Sequence, residues 1–470
     1  LKPVALLEVR TGQTGIKARK GSLYRKLKPG PGTSAAEVIA SQRARLRQAM
    51  VDLVAERGFG GVTVRGLSST AGVSTRTFYA HFPNAEECFT STYETVMRTA
   101  LKQFTASGMT DADRERAIRS GLTSLMRQIS ENPSAGRLAL VESFSAGPAM
   151  LREMSCATRD FEQFMLDTFN AAPGRVKLPL PLIQSITAGA ERVVRARILT
   201  GRDAELPGVS EELADWALSM HDPALATLAI PDSVGTGERR RAARPCATKK
   251  PGTAEFAAIG NERGRALAAV IRLSLKDGYW NLTVPRIRRE AEVSRRAFDA
   301  HFDGVGHCYL EGIEALVARA VARAERKSAG GDSWESRTFQ FVSAYCSEVA
   351  HSPALAQLGY IDIFAPGQEG LTCRERMISN GAARLRGFAD PGEALTELEA
   401  EASAAAGWRM IQNEVAAGRA KKLPQVAPLI AFVILAPAVG AARAAEAIHA
   451  EQLGGLPPAC VEGERAHAIP

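Results

Sequence analysis

The chain has 470 residues, 45% hydrophobic and 23% charged, an ordinary globular composition with apolar material for more than one core. Its 59 Lys+Arg against 51 Asp+Glu give a net charge of +8, which admits a polyanionic partner without requiring one, because the placement of charges matters more than their sum. The seven cysteines are scattered and no C-x-x-C occurs, which argues against a disulfide framework or a zinc site and for a reducing, cytoplasmic setting; no metal and no cofactor is expected.

Residues 1–36 read as a basic flexible tail, with Lys17, Arg19, Lys20, Arg25, Lys26 and Lys28 among glycines and prolines. Nothing in them has the basic, apolar, small-residue order of a signal peptide. Over 37–90 the pattern turns helical. In Ser41–Gly58, Leu46, Met50, Leu53 and Val54 recur at helical spacing, and Gly58 is a natural stop. Thr63 caps a short helix, VRGLSSTA; Gly72 makes a turn; Ser74 caps a third helix, TRTFYAHF. Helix, short helix, tight turn, short helix is a helix-turn-helix. Val64, Leu67, Val73 and Phe78 supply its packing.

Residues 91–230 continue as helices and read as a first regulatory domain. A linker at 231–254, rich in Gly, Pro, Arg and Lys, follows. Tail and linker read as solvated segments or, alternatively, as polybasic arms on a phosphate backbone. A second, divergent helix-turn-helix occupies 255–310, a second helical domain 311–457, and a tail 458–470. The most apolar run, Pro428–Ala442, is too short to span a bilayer and contains Pro437, so it reads as a helix buried in protein.

The second half repeats the first. STRTFYAHF at Ser74–Phe82 returns as SRRAFDAHF at Ser294–Phe302, an offset of 220 (294 − 74). The same shift places Arg43 and Arg45 on Arg263 and Arg265, Thr63-Val64 on Thr283-Val284, Cys88 on Cys308, and Asn132–Gly147 on Ser352–Gly367. Farther on, Gly201-Arg202 meets Gly418-Arg419 at an offset of 217 (418 − 201), after a small deletion. The period is far too long for a solenoid, so the chain is one unit in two copies.

GFGGVTVRGLSSTAGVSTRTFYAHFPNAEECF (Gly58–Phe89) resembles the DNA-binding head of the tetracycline-repressor (TetR) family, and Gly278–Phe302 resembles it less closely. The resemblance covers about fifty residues per copy. It implies an all-α chain of two tandem TetR-like units, each a helix-turn-helix head followed by a helical ligand-binding and dimerisation domain. Double-stranded DNA and a small apolar or amphipathic effector are the implied partners; no membrane is involved.

A helix-turn-helix lays its second helix in the major groove. In copy one this helix exposes Thr75, Arg76, Thr77 and Tyr79, while Phe78 and Phe82 turn inward. Arg76 is the candidate for a base edge, since guanidinium matches guanine bidentately. Thr63, Arg65 and Ser74, at helix starts, and Tyr79 and His81, by resemblance, are candidates for phosphate; His81 could equally cap or pack. Ala85 stands where the family often has a phosphate-contacting lysine. In copy two, Arg286, Arg295, Arg296 and His301 are the candidates, with Asp299 in place of the tyrosine and Glu292 in place of the turn glycine. This head either reads a different half-site or serves as a structural partner.

Because family members pair through their last helices, two fused copies imply a pseudo-dimer within one chain, with heads about 34 Å apart on an asymmetric operator; further homodimerisation is left open. The pairing helices are Ile186–Gly201 with Glu211–Ala229 in copy one, and Leu398–Gly418 with Ala427–Ile448 in copy two. Phe104, Met126, Phe144, Met150, Phe161 and Met165 are candidate pocket residues in copy one, with plain core as the competing reading. No G-x-S-x-G, H-E-x-x-H or phosphate loop occurs, which argues against an enzyme. A scaffold that keeps the fold and has lost specific DNA binding is the alternative to a regulator.

Overall fold

A computed structural model describes residues 34–105, 114–170, 177–228, 261–389 and 394–454. The expected basic tail, the linker at 231–254 and the tail at 458–470 lie outside them. Among the described residues every element is helical. Copy one contributes α1 (Ala35–Arg57), α2 (Val64–Ala71), α3 (Thr75–His81), α4 (Ala85–Thr105), α5 (Arg114–Glu131), α6 (Pro133–Leu140), α7 (Gly147–Asn170), α8 (Leu180–Leu199) and α9 (Ser210–Leu218). Copy two repeats the order as α10 (Glu262–Asp277), α11 (Val284–Ala291), α12 (Arg295–Asp299), α13 (Val305–Ser328), α14 (Trp334–His351), α15 (Pro353–Tyr360), α16 (Gln368–Phe388), α17 (Glu397–Ala416) and α18 (Leu423–Val439), and adds α19 (Ala441–Gly454).

Local signals explain the boundaries. Ser34 caps α1 in a reciprocal box with Glu37, and Thr396 with Glu399 does the same for α17. Pro133 and Pro353 each sit in the first turn of a short helix, where the missing N–H costs nothing.

The chain divides into two compact units. Of the described residues, one contains those up to Lys102 together with Glu131–Ala157; the other contains those of Gln103–Ser130 and those from Thr158 on. The first unit therefore extends beyond the expected head of 37–90. The physical reason is α6, which packs on α1 and places Leu138, Ala139 and Met150 in one core with Leu46, Met50, Leu67, Phe78 and Phe89.

The second unit holds α8 against α17, its most extensive helix pairing. Both helices carry small residues at the contact. A Cβ on Gly189 would lie 2.3 Å from Trp216 Cη2 and 2.9 Å from the Ala402 carbonyl oxygen, so only glycine permits this approach. Trp216 of α9 donates its indole N–H to Ser403 Oγ of α17 at 3.0 Å.

The expected long C-terminal helix of copy two is broken. Gly440, at φ 83°, separates α18 from α19. The helical stretch that holds the apolar run is longer than the run itself: Ala420–Val439 has 20 residues, with an 18-residue window at a mean hydropathy of 1.7, enough by length to cross a bilayer. Burial gives it another role, since 67% of it is enclosed within the fold, against α14, α17 and α19.

Candidate nucleic-acid interface

Each head is built by the same capping chemistry. Thr63 accepts the Gly66 N–H at 3.1 Å and Ser74 the Thr77 N–H at 3.0 Å; Thr283 and Ser294 do the same for α11 and α12. These hydroxyls satisfy orphan amides at helix starts. Ser74 Oγ also pairs with Thr77 Oγ1 at 2.8 Å, so two of the expected contact residues hold each other. Phe78 and Phe82 turn into the core with ring centroids 6.0 Å apart.

One positioning residue was visible in the sequence only as a repeated letter. The buried Arg45 reaches from α1 to the last carbonyls of α2, donating to Ala71 O at 2.8 Å and Gly72 O at 3.3 Å. Arg265, its counterpart, donates to Ala291 O at 3.2 Å. A guanidinium at a helix C-terminus satisfies free carbonyls and complements the helix dipole. Arg43 stands over the Phe82 ring at 5.3 Å.

The outer face of α3 is open. Thr75, Arg76 and Tyr79 are exposed, as are Thr63 and Arg65 at the start of α2. Tyr79 is 57% exposed, unusual for an aromatic ring on a compact head. Its ring stands edge-on to Phe78 at 5.5 Å. His81 differs from this group. It is half-buried, and its Nε2 pairs with Gln42 Oε1 of α1 at 2.8 Å. Burial, with the Arg43 charge beside it, holds its pKa below the usual 6.5, so the ring is neutral near pH 7 and packs the head.

The same face of copy two is internally paired. Arg295 reaches Asp299 one turn on at 3.3 Å, where copy one has Thr75 and Tyr79. Arg286 is tied back to Asp277 and to the Asn281 carbonyl. Arg296 and His301 remain exposed. Glu292 takes the turn position of Gly72 in the same left-handed conformation, φ 53° against 62°, and is the one non-glycine with positive φ among the described residues. Trp280, 74% exposed, stands just before α11.

Residues 46–92 match the family model of the bacterial regulatory proteins, tetR family. Over these residues the first head is similar to the DNA-binding domain of that family. The match covers α1 from Leu46, all of α2 and α3, and the start of α4. Among solved structures, the chain is similar to the fatty acid degradation regulator FadR of Bacillus halodurans, at 16% identity over 41% of this chain and 97% of that one, with a TM-score of 0.35. It is similar to FadR of Bacillus subtilis, solved in complex with stearoyl-CoA, at 14% identity over 37% and 97%, with a TM-score of 0.34. It is also similar to a TetR-like regulator of Rhodococcus sp. RHA1, at 13% identity over 38% and 97%, with a TM-score of 0.33.

The expected pocket residues of copy one are distributed over both compact units. Phe144 and Met150 belong to the unit of the tetR-type head, where Thr90 Oγ1 lies 3.8 Å from Met150 Sδ. Phe104, Met126, Phe161 and Met165 belong to the other. There the Phe104 ring packs edge-on against Phe161 and Phe164 at 5.6 and 6.0 Å. A cavity of about 820 Å³ lies in copy two, among α13, α14, α16, α17 and α18.

Proposed function

We propose that the chain is a DNA-binding transcriptional regulator in which one molecule supplies both heads of a pseudo-dimer. Copy one carries the sequence reading. The observation behind this reading is the contrast between the two recognition helices at one position. Tyr79 stands exposed beside Arg76 on α3 within the tetR-family match; at its matching place on α12 stands Asp299, paired with Arg295, while Arg296, the counterpart of Arg76, stays exposed. An exposed guanidinium at the start of a recognition helix suits a guanine edge, and an exposed phenol suits a backbone phosphate. In copy two a carboxylate takes the place of that phenol and neutralises Arg295, so this part of the face offers phosphate less than its arginine count suggests.

The pseudo-dimer reading draws its support from α8 against α17. These helices close on each other as the last helices of two subunits would, within one chain. An asymmetric operator follows from unequal heads. Release by a small apolar or amphipathic effector, with repression as the ordinary mode, completes the reading; such release requires a ligand that prefers one of two states.

A gel shift on promoter fragments tests it. Binding should weaken steeply with salt, as phosphate contacts demand. Arg76→Ala with Tyr79→Ala should abolish specific binding, and Arg296→Ala with Asp299→Ala should change it little. No binding at low salt would favour a scaffold that has kept the fold.

A further inference from the structure

The copy-two cavity is made by small residues. Ala318 and Ala322 on α13, Gly381 on α16, and Ala404 and Gly407 on α17 line it, and each leaves volume that a larger side chain would fill. Its 820 Å³ is in the range of about 300–1,000 Å³ usual for small-molecule sites. In copy one Phe161 stands at the place of Gly381, and its ring packs edge-on against Phe104.

The charges at the wall are already matched. Arg376 pairs with Glu314, and Arg384 with Glu325, both linking α16 to α13. These pairs leave no uncompensated charge in the wall to select an ionic ligand, and a charge carried deeper, among Val317, Val342, Ile411 and Ile430, would be buried unpaired at a cost.

Two hydrogen-bond donors in the wall are unspent. Trp408, 7% exposed, has its indole N–H buried without a partner. The Tyr345 hydroxyl accepts from Tyr360 at 2.9 Å and keeps its own proton. Burial pushes its pKa up to about 12, so that proton stays on. A buried donor left unpaired, as at Trp408, calls for an acceptor, and the Tyr345 proton is available beside it.

We infer that copy two is the sensing copy, and that its cavity takes an uncharged, elongated, mostly apolar molecule whose single acceptor oxygen meets the Trp408 N–H and the Tyr345 hydroxyl. The inference deepens the regulator reading and rests on it for its consequence. Trp408 is also the link to copy one. The Arg374 guanidinium lies 4.4 Å from its ring, Arg374 pairs with Glu375, and Glu375 is held by Arg192 and Arg195 of α8 at 3.1 Å each. A ligand that turns the indole therefore shifts the ion cluster on which α8 rests.

Calorimetric titration of the full chain without DNA tests the site, using 2-dodecanone, n-dodecane and dodecanoate. The ketone should bind at one site per chain, at least fivefold more tightly than either of the others. Tyr345→Phe should weaken the ketone about fivefold and leave n-dodecane unchanged. Ala404→Phe, which fills the cavity, should remove binding; should that variant misfold, the Tyr345→Phe comparison decides alone. Absence of ketone binding, or binding indifferent to Tyr345→Phe, overturns the inference. Because DNA is absent, this outcome is separate from failure of the regulator reading, which the gel shift reports.

Discussion

Arg192 on α8 and Arg409 on α17, equivalent at the 217-residue offset (409 − 192), reach across the same junction in opposite directions. Arg192 pairs with Glu375 and Glu401 of copy two, each at 3.1 Å. Arg409 pairs with Glu191 at 3.1 Å and Glu162 at 3.6 Å, both of copy one. The partners are not themselves equivalent residues, so the two-fold relation survives in the arginines after the carboxylates have moved. Arg192, Glu162 and Glu375 are all buried, and removal of one member leaves a charge without its partner. Arg192→Ala should therefore destabilise the chain by about 3 kcal/mol, read as a lowered midpoint in urea. A change under about 0.5 kcal/mol would mean that the cluster is spectator charge.

Gly189 gives a steric test of the same junction. Its added Cβ would meet the Trp216 ring and the Ala402 backbone, and backbone cannot swing aside as a side-chain end can. Gly189→Ala should cost about 1–3 kcal/mol, the usual range for overpacking. It should also raise amide exchange in α8 and α17 while leaving α1–α3 as they are. Unchanged exchange in α8 would contradict the packing described.

Glu292 stores strain that glycine would release. A left-handed conformation costs a non-glycine residue about 1–2 kcal/mol, and glycine gives back part of this through its looser unfolded chain. Glu292→Gly should stabilise the second head by about 1 kcal/mol, seen as slower exchange in α11 and α12. Faster exchange there would show that Glu292 is held by more than its backbone.

His81 makes the first head acid-sensitive. Its folded pKa lies below the unfolded value near 6.5, so the folded state favours the neutral ring. Its contribution is fully present above about pH 6.5 and is lost as pH falls through the folded value. Exchange in α3 should quicken over that interval in the wild type, and His81→Gln should flatten the response. An equal response in both would assign the acid sensitivity to other groups.

Much of the head was legible in the sequence because its signals are local. Thr63, Gly72 and Ser74 mark caps and a turn by residue type alone, and Phe78 with Phe82 shows its face by spacing. The doubling was legible too, since an offset needs no structure. Two features were not. Arg45 and Arg265 repeat, but a repeated arginine does not announce that it closes a helix 26 residues away. The copy-two cavity was not legible because large apolar side chains, which show in a sequence, fill space, whereas this space is left by Ala318, Gly381, Ala404 and Gly407. The letters show Asp299 in the tyrosine's place; its pairing with Arg295 depends on rotamers that they do not carry. Both partners are more than half exposed, so that pair adds little stability; its effect is on the charge a phosphate meets.

The account turns on one head reading DNA and one chain supplying both. Selecting DNA from a random pool with the purified chain, then weighing the complex by native mass spectrometry, tests this directly. One chain per duplex, on an asymmetric site whose better-defined half is lost with Arg76→Ala, is the predicted result. Two chains on a perfect palindrome, or no selected sequence at low salt, would contradict it.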